Sequence, residues 1–183
     1  MILNSRNNLF NFRFPRNFIP DEVAAKYTTY LNRMPGNLIT EPIDFINYSI
    51  QGISMPGISF DPIETAPNDG TVTYHRGSIP IQNTIDRQFS VSMQLLDGYI
   101  NYWIMQDTLL YYYSKGVRQP FLDNIKLQIM DAEGIHIMSA VFEKPIMNSI
   151  SELDLNMSSN LAEFNTFDIN FFYNKFNIVL EID

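Results

Sequence analysis

One short segment constrains the fold more than any other part of the chain. Residues 88–95 read QFSVSMQL, in which apolar side chains alternate with amides and hydroxyls. The apolar members are Phe89, Val91, Met93 and Leu95. Alternation with a period of two places the two sets of side chains on opposite faces of a β-strand. The segment therefore predicts a half-buried strand.

Further segments have strand character. They are rich in β-branched and aromatic residues, or alternate in the same way, and turn-forming residues separate them. They are DFINYSIQGISMPGISF (44–60, a strand, a turn and a strand), TVTYHRGSIPI (71–81), NIKLQIM (124–130), GIHIMSAVF (134–142), SELDLNM (151–157), TFDINFFY (166–173) and FNIVLEI (176–182). A loop is predicted over residues 61–70, and Asp131 to Gly134 predict a hairpin turn. About eight strands favour a mainly β sandwich or barrel.

Two helices are predicted beside the strands. A long helix over about residues 98–114 lies between two glycines, and its tyrosines make it apolar almost all round, so it needs cover on several sides. A short helix over about residues 21–33 begins after Pro20 and ends before Pro35. These elements divide the chain into an N-terminal arm with a short helix, residues 1–38, and a β domain, residues 39–183.

Composition and charge favour self-association. Hydrophobic residues make up 45% of the chain and charged residues 17%, which leaves much uncharged surface to bury. The net charge of −8 is uneven, because residues 1–33 are basic and residues 34–183 strongly acidic. An acidic body repels phosphate backbones, so stable nucleic-acid binding is not expected. The chain has no cysteine, and no signal peptide or membrane span is predicted, so we expect it inside a cell or virion.

No catalytic, cofactor or metal site is predicted. The two histidines, His75 and His136, lie in strand patterns without neighbouring ligands at metal-binding spacing. His75 and Ser78 form no nucleophile motif, and no glycine-rich phosphate loop is present. Glu152 and Asp154 share one face of a predicted strand, which leaves glycoside hydrolysis open as an alternative to a solvated acidic face.

The order of elements resembles the tail-tube family of contractile-tailed bacteriophages over residues 42–176. INYSIQGISMPGISF matches a strand that ends near a Pro-Gly pair, and DRQFSVSMQLLDGYINYWIMQDTLLYY matches an alternating strand that leads into a helix. After a hairpin, FEKPIMNSISELDLNMSSNLAEFNTFDINFFYNKF matches the family's last segment. The arm and helix of residues 1–38 extend beyond the compact form of this family.

The resemblance implies a structural virion protein of the tail, assembled in the host cytoplasm, and not an enzyme. It implies hexameric rings that stack into a conduit for DNA ejection, and DNA passes through without specific binding. The implied partners are other copies of the chain and sheath, baseplate or connector subunits, without a membrane. Glu152 and Asp154 are candidates for an acidic lumen wall. The arm is a candidate for docking on a neighbouring copy through Phe10, Phe12, Arg13, Phe14 and Arg16.

Several readings stay open beside the main tube subunit. A ring, initiator, completion or adaptor protein at one end of a tail would share the fold, and so would the tube subunit of a secretion system. A receptor-binding or carbohydrate-binding β-sandwich would need an exposed aromatic groove.

Overall fold

A computed structural model describes residues 9–34, 38–55, 57, 63–65, 74–76, 87–114, 122–153 and 165–181. Within these ranges the strands are β1 Phe10–Arg13, β2 Ile50–Ser54, β3 Ile63–Thr65, β4 Tyr74–Arg76, β5 Gln88–Gln94, β6 Ile125–Met130, β7 His136–Glu143, β8 Ile146–Ile150, β9 Thr166–Phe172 and β10 Lys175–Leu180. The helices are α1 Asp21–Leu31, α2 Pro42–Tyr48 and α3 Ile100–Ser114. The chain is therefore mainly β, as its sequence predicts.

Eight of these strands form two antiparallel sheets. Sheet A has the order β1-β6-β7-β10, and sheet B has the order β2-β5-β9-β8. β3 and β4 pair with each other in a separate two-stranded ladder. Within the described residues the two sheets are not closed into a barrel, so of the predicted alternatives the sandwich is the one observed.

The core lies between the two sheets and is rich in aromatic rings. Phe89 of β5 stacks on Phe142 of β7 with 4.1 Å between ring centroids, and on Phe171 of β9 with 5.0 Å. All three rings are at most 3% exposed. The half-buried strand predicted for residues 88–95 is thus confirmed, because Phe89, Val91 and Met93 are buried while the residues between them face away from the core.

The N-terminal segment belongs to the same core. β1 pairs with β6 along sheet A, and the rings of Phe14 and Phe18, which follow β1, stack with centroids 4.3 Å apart. Phe12, Phe14 and Phe18 are all buried within the single chain. These rings therefore need no neighbouring copy for their burial.

A small polar cluster fastens α1 to α3. The ammonium group of Lys26 and the hydroxyl of Tyr27 both donate to one carboxylate oxygen of Asp107, at 2.5 and 2.8 Å. Burial acts to raise the pKa of Asp107, but these two hydrogen bonds and the charge of Lys26 outweigh it and lower the pKa. Burial and the bond to Asp107 raise the pKa of Tyr27 far above its usual value. The cluster therefore stabilises the ionised carboxylate and the neutral phenol.

The two sides of the sandwich are connected differently. The chain passes from β7 in sheet A to β8 in sheet B through Lys144, whose φ is 51°, and Pro145. It passes from β9 in sheet B to β10 in sheet A through two residues, 173 and 174. At the β1–β2 side, by contrast, the backbone N–H of Phe14 donates to the side-chain oxygen of Asn47 in α2 at 2.8 Å.

Three local predictions are wrong. Residues 44–48, the start of the predicted strand segment 44–60, belong to α2, because Pro42 starts a helical turn and Ile43 and Ile46 fall on its buried side. The predicted loop 61–70 contains β3. Residues 151–153 of the predicted strand 151–157 follow the end of β8 and are not in a strand; residues 154–157 lie outside the described part of the chain.

Candidate assembly surfaces

Both sheets have two outer strands whose far sides are free of strand partners within the described ranges. These strands are β1 and β10 in sheet A and β2 and β8 in sheet B. An outer strand carries a row of backbone donors and acceptors that can pair with another chain. Four outer strands are therefore candidates for association, and at β8 the Tyr113 hydroxyl of α3 already donates to the Met147 carbonyl at 3.1 Å.

The backbone direction along β8 follows from one hydrogen bond. Ser151 N–H donates to the carbonyl of Asp168 in β9 at 2.8 Å. Because pairing groups alternate along an antiparallel strand, the N–H and C=O of Ile150 point away from β9. The same argument applies to β10, where Glu181 N–H donates to the carbonyl of Ile137 at 3.0 Å, so that the backbone groups of Ile178 point away from β7.

The end of β10 is unusually apolar for an outer strand. Ile178, Val179 and Leu180 are 56%, 45% and 67% exposed, on both faces of the strand. Exposed apolar residues in a row on an outer strand mark an interaction surface or an aggregation hazard. This strand is therefore a candidate contact surface for another chain.

A cleft of about 600 Å³ lies between β1, α2 and β2. It is lined by Phe10, Asn11, Phe12, Arg13, Ile39, Asp44, Asn47, Tyr48, Ile50 and Gln51. Arg13 and Asp44 are exposed and bring one charge of each sign. One outer strand of each sheet, β1 and β2, therefore borders a cleft that is lined by charged, polar and apolar side chains.

Most side chains on the outward face of sheet B carry hydroxyl or amide groups, and Phe172, which is 38% exposed, and Asp168 lie on the same face. Cross-strand register places Ser54, Ser90, Asn170 and Ser149 in one row across all four strands. The other outward polar residues of the sheet are Gln88, Ser92, Gln94, Thr166 and Asp168. Asn170 donates to the hydroxyl of Ser149 at 3.1 Å, so part of this row is already hydrogen-bonded within the sheet.

The outward face of sheet A has a different character. Arg13 and Lys126 are cross-strand partners on neighbouring strands, and both are exposed. Lys175 of β10 forms an ion pair with Glu143 of β7 at 3.5 Å. Sheet A therefore exposes several cations, whereas the outward positions just described on sheet B include no lysine or arginine.

The solved structures to which the chain is similar decide the fold. No protein-family model and no curated protein matches the sequence. A chain in the structure of the anti-feeding prophage baseplate matches 98% of this chain and 97% of its own length, with a TM-score of 0.55 and 10% identity. This chain has the tail-tube fold.

Two further neighbours are more distant. A chain in the structure of the anti-feeding prophage tube terminating cap matches 72% of this chain and 80% of its own length, with a TM-score of 0.47 and 13% identity. An Hcp protein matches 93% and 97%, with a TM-score of 0.38 and 13% identity. At such identities the similarity concerns the fold alone, and it rests on the baseplate chain.

In this tail-tube fold the predicted arm residues divide between core and surface. Phe12 and Phe14 are buried, and Phe10 is half-buried against the core. Arg13 and Arg16 are exposed. Docking of the arm on a neighbouring copy and a domain boundary at residue 38 stay predictions, and the two arginines are the arm residues most available for such a contact.

The two predicted lumen carboxylates are only partly described. Glu152 is exposed and follows Ser151, which is hydrogen-bonded to Asp168 at the end of β8. Asp154 lies outside the described residues. Their shared strand face is therefore not observed, and a role in a lumen stays a prediction.

Sequence reasoning missed a polar cluster at the start of β7. His136 Nε2 lies 2.9 Å from the Ser139 hydroxyl, and His136 Nδ1 lies 3.2 Å from a carboxylate oxygen of Glu181. A bulge opposite Ile129 and Met130 breaks the regular alternation, so the odd spacing of His136 and Ser139 did not indicate a contact.

Ser139, His136 and Glu181 are the residue types of a serine hydrolase triad, but their geometry is that of a structural hydrogen-bond cluster. Ser139 is 3% exposed, and its hydroxyl donates directly to Glu181 at 3.1 Å. The hydroxyl is therefore neither accessible to a substrate nor committed to His136. The cluster connects the residue after β10 to β7.

No group of metal-ligating side chains occurs in the ranges covered by the structure. The other histidine, His75, lies in β4. None of the helices in those ranges is long and apolar enough to span a membrane.

Proposed function

We propose that this chain is a structural subunit that assembles with copies of itself into rings of a tail-like tube. The observation that carries the proposal is the pair of sheets with free strands on both sides, in a chain of low charge content. Head-to-tail contact between different surfaces of identical subunits closes into a ring when the rotation between neighbours allows it. A strand on one side of a sheet can then pair with the strand on the opposite side of the next copy.

The full proposal follows the family resemblance. The ring is hexameric, and stacked rings form a phage tail conduit through which DNA leaves without specific binding. Sheath, baseplate or connector proteins are the other partners, and the virion tail is the location. A structural role of this kind needs no catalytic site, and the burial of Ser139 in the triad-like cluster described above supports that role.

A position near the baseplate end of the tube is the second candidate. The baseplate chain matches this chain over nearly its whole length, which includes β1 and α1. The arm and helix are the parts that exceed the compact tail-tube form expected from the sequence. A ring, initiator or adaptor subunit that contacts a non-identical neighbour has use for such an addition.

Light scattering over a concentration series, with electron microscopy of the same samples, tests the proposal. Closed rings or stacked tubes with a central hole are the expected result. A species that stays near the subunit mass of 21.2 kDa at high micromolar concentration, both alone and after addition of preformed tail components, would contradict self-assembly.

A further inference from the structure

Within the described residues, α3 is covered on three sides and open on the fourth. Ile104 is fully buried in the core, and Asp107 faces α1, where it binds Lys26. On the third side the hydroxyl of Tyr102 donates to the carbonyl of Ser151, just after β8, at 3.2 Å. The sequence predicts a helix that is apolar almost all round and needs cover on several sides. One of these sides is without cover in the described part of the chain.

The open side carries a row of large side chains, here called the α3 stripe. Trp103, Leu110 and Tyr113 are 44%, 55% and 60% exposed, and the half-buried Gln106 lies between them in sequence. Steps of three, four and three positions place the four side chains on one face, as at the a and d positions of a coiled coil. None of the four is charged, whereas the exposed face of a helix in a soluble protein is normally charged or polar. The α3 stripe therefore has the composition of a helix-packing surface.

The size of the α3 stripe decides which kind of partner fits. The exposed parts of its three apolar side chains come to roughly 300–350 Å². A patch of this size is often functional, but a stable interface between two globular faces needs about 800 Å² from each partner. The stripe is thus too narrow for the face of a globular domain. A single helix suits it, because a helix laid along α3 also reaches the neighbouring sides formed by α1 and β8.

Gln106 adds a requirement at the middle of the stripe. Its side-chain oxygen is buried and has no hydrogen-bond partner in the described part of the chain. A buried acceptor without a donor destabilises a protein. The flexible side chain of Gln106 can turn this oxygen toward a helix on the stripe. A partner with asparagine at the facing core position supplies the donor, and such a polar pair sets the register of two helices.

The charges around the stripe indicate the charge of the partner. Two exposed carboxylates lie near its Trp103 end, since Asp97 comes just before α3 and Glu152 follows Ser151, to which α3 is hydrogen-bonded. On the α1 side, Lys26 is already paired with Asp107. A partner with basic residues beside its apolar core positions is therefore complementary at the Trp103 end.

We propose that the α3 stripe binds one amphipathic helix of a different protein, packed along α3 as in a coiled coil. Apolar residues of this helix cover Trp103 and Leu110, an asparagine meets Gln106, and lysines meet the two carboxylates near the Trp103 end. The proposal concerns the single subunit and does not depend on the proposed ring.

Trp103 is the only tryptophan in the chain, so its fluorescence reports directly on the stripe. The probe is a synthetic helical peptide of about 21 residues without tryptophan, which corresponds to three heptads. It has leucine at the core positions, asparagine at the middle core position and lysine beside them. We expect the emission of Trp103 to shift to shorter wavelength and to saturate at micromolar peptide. A peptide of the same composition in scrambled order should need at least about tenfold higher concentration.

Two matched variants locate the contact. Leu110→Glu should weaken binding by at least about tenfold, whereas Leu180→Glu, the same change at a leucine of β10 that is 67% exposed, should leave it unchanged. Circular dichroism of both variants checks that they are folded. Gln106→Leu should reverse the preference, so that a peptide with leucine in place of the asparagine binds more tightly.

Three results would overturn the proposal. They are an unshifted emission at about 1 mM peptide, equal binding of the scrambled peptide, and full binding by folded Leu110→Glu. A dimer of the subunit that forms without peptide and is lost in Leu110→Glu would also overturn it, because the stripe would then belong to a contact between copies.

Discussion

Proline substitution tests which outer strand pairs with a neighbouring copy in the proposed ring. Proline removes one N–H and fits an extended backbone, so it is tolerated where the N–H points away from the strand's own partner. Ile150 in β8 and Ile178 in β10 are two such positions, one in each sheet. Ile150→Pro blocks pairing at the edge of sheet B, and Ile178→Pro does the same in sheet A.

The effect on the subunit should be small and similar for the two variants. Ile150 is half-buried and Ile178 is 56% exposed, so each substitution loses part of an isoleucine's burial, about 1 kcal/mol. The effect on the ring should differ. At a paired edge the variant loses a hydrogen bond of about 1 kcal/mol, and the pyrrolidine ring of the proline keeps the neighbouring strand at a distance. The total loss of binding free energy is about 2–3 kcal/mol per interface. That is roughly a 30- to 150-fold weaker contact.

Mass measured by light scattering against concentration, with end-view micrographs, gives the result. We expect one of the two proline variants to remain in small species and the other to form rings, with Ile150→Val, which keeps the N–H, as a ring-forming control. Urea unfolding of both proline variants checks that the subunit is folded. Normal rings from both proline variants would refute association through a paired edge at β8 or β10.

Three further predictions concern the core, the helix contact and the lumen. Phe18→Ala should lower the free energy of unfolding in urea by about 3–5 kcal/mol, because Phe18 is fully buried and stacked on Phe14; a loss below about 1 kcal/mol would show that the N-terminal segment is not part of the core. Asp107→Asn should cost about 1 kcal/mol at pH 7, a value kept low because Lys26 is largely exposed. Since the folded pKa of Asp107 lies below its unfolded value of about 3.9, this difference should be present above that pH and disappear as the pH falls through the folded pKa; a constant difference down to pH 2 would contradict the carboxylate's role. Rings of Glu152→Lys/Asp154→Lys should retain DNA in a gel shift that weakens with salt, and intact rings that still ignore DNA would remove both residues from the lumen wall.

The sequence predicts best where one physical signal dominates. The alternation at Phe89 to Met93 gives β5, and the turn before Gly134, whose φ is 86°, separates β6 from β7 as predicted. The long helix begins at Ile100, after Gly98 with φ 67°. In each case local backbone preference and burial require the same structure.

Prediction fails where a short segment satisfies two patterns. Phe45 and Ile46 suit a strand by residue type, yet Pro42 and the packing of Ile43 make them helical. The prediction placed a strand at residues 151–157 and missed β8 directly before it. A bulge between Met147 and Ser149 interrupts the alternation of β8 in the sequence. The polar row on the outward face of sheet B could not be predicted from sequence, since it needs the register that joins Ser54, Ser90, Asn170 and Ser149.

The two shortest covalent connections between the sheets lie at one side of the sandwich. Near Lys144 and Asn174 covalent links between the sheets fix their separation, whereas at the other side the bond from Phe14 to Asn47 and side-chain packing hold it. The two sheets should therefore separate more easily at the side of β1 and β2 than at the side of Lys144 and Asn174. In the proposed ring, a small opening at that side of every subunit would change the circumference, so one sequence would fit components of different diameter.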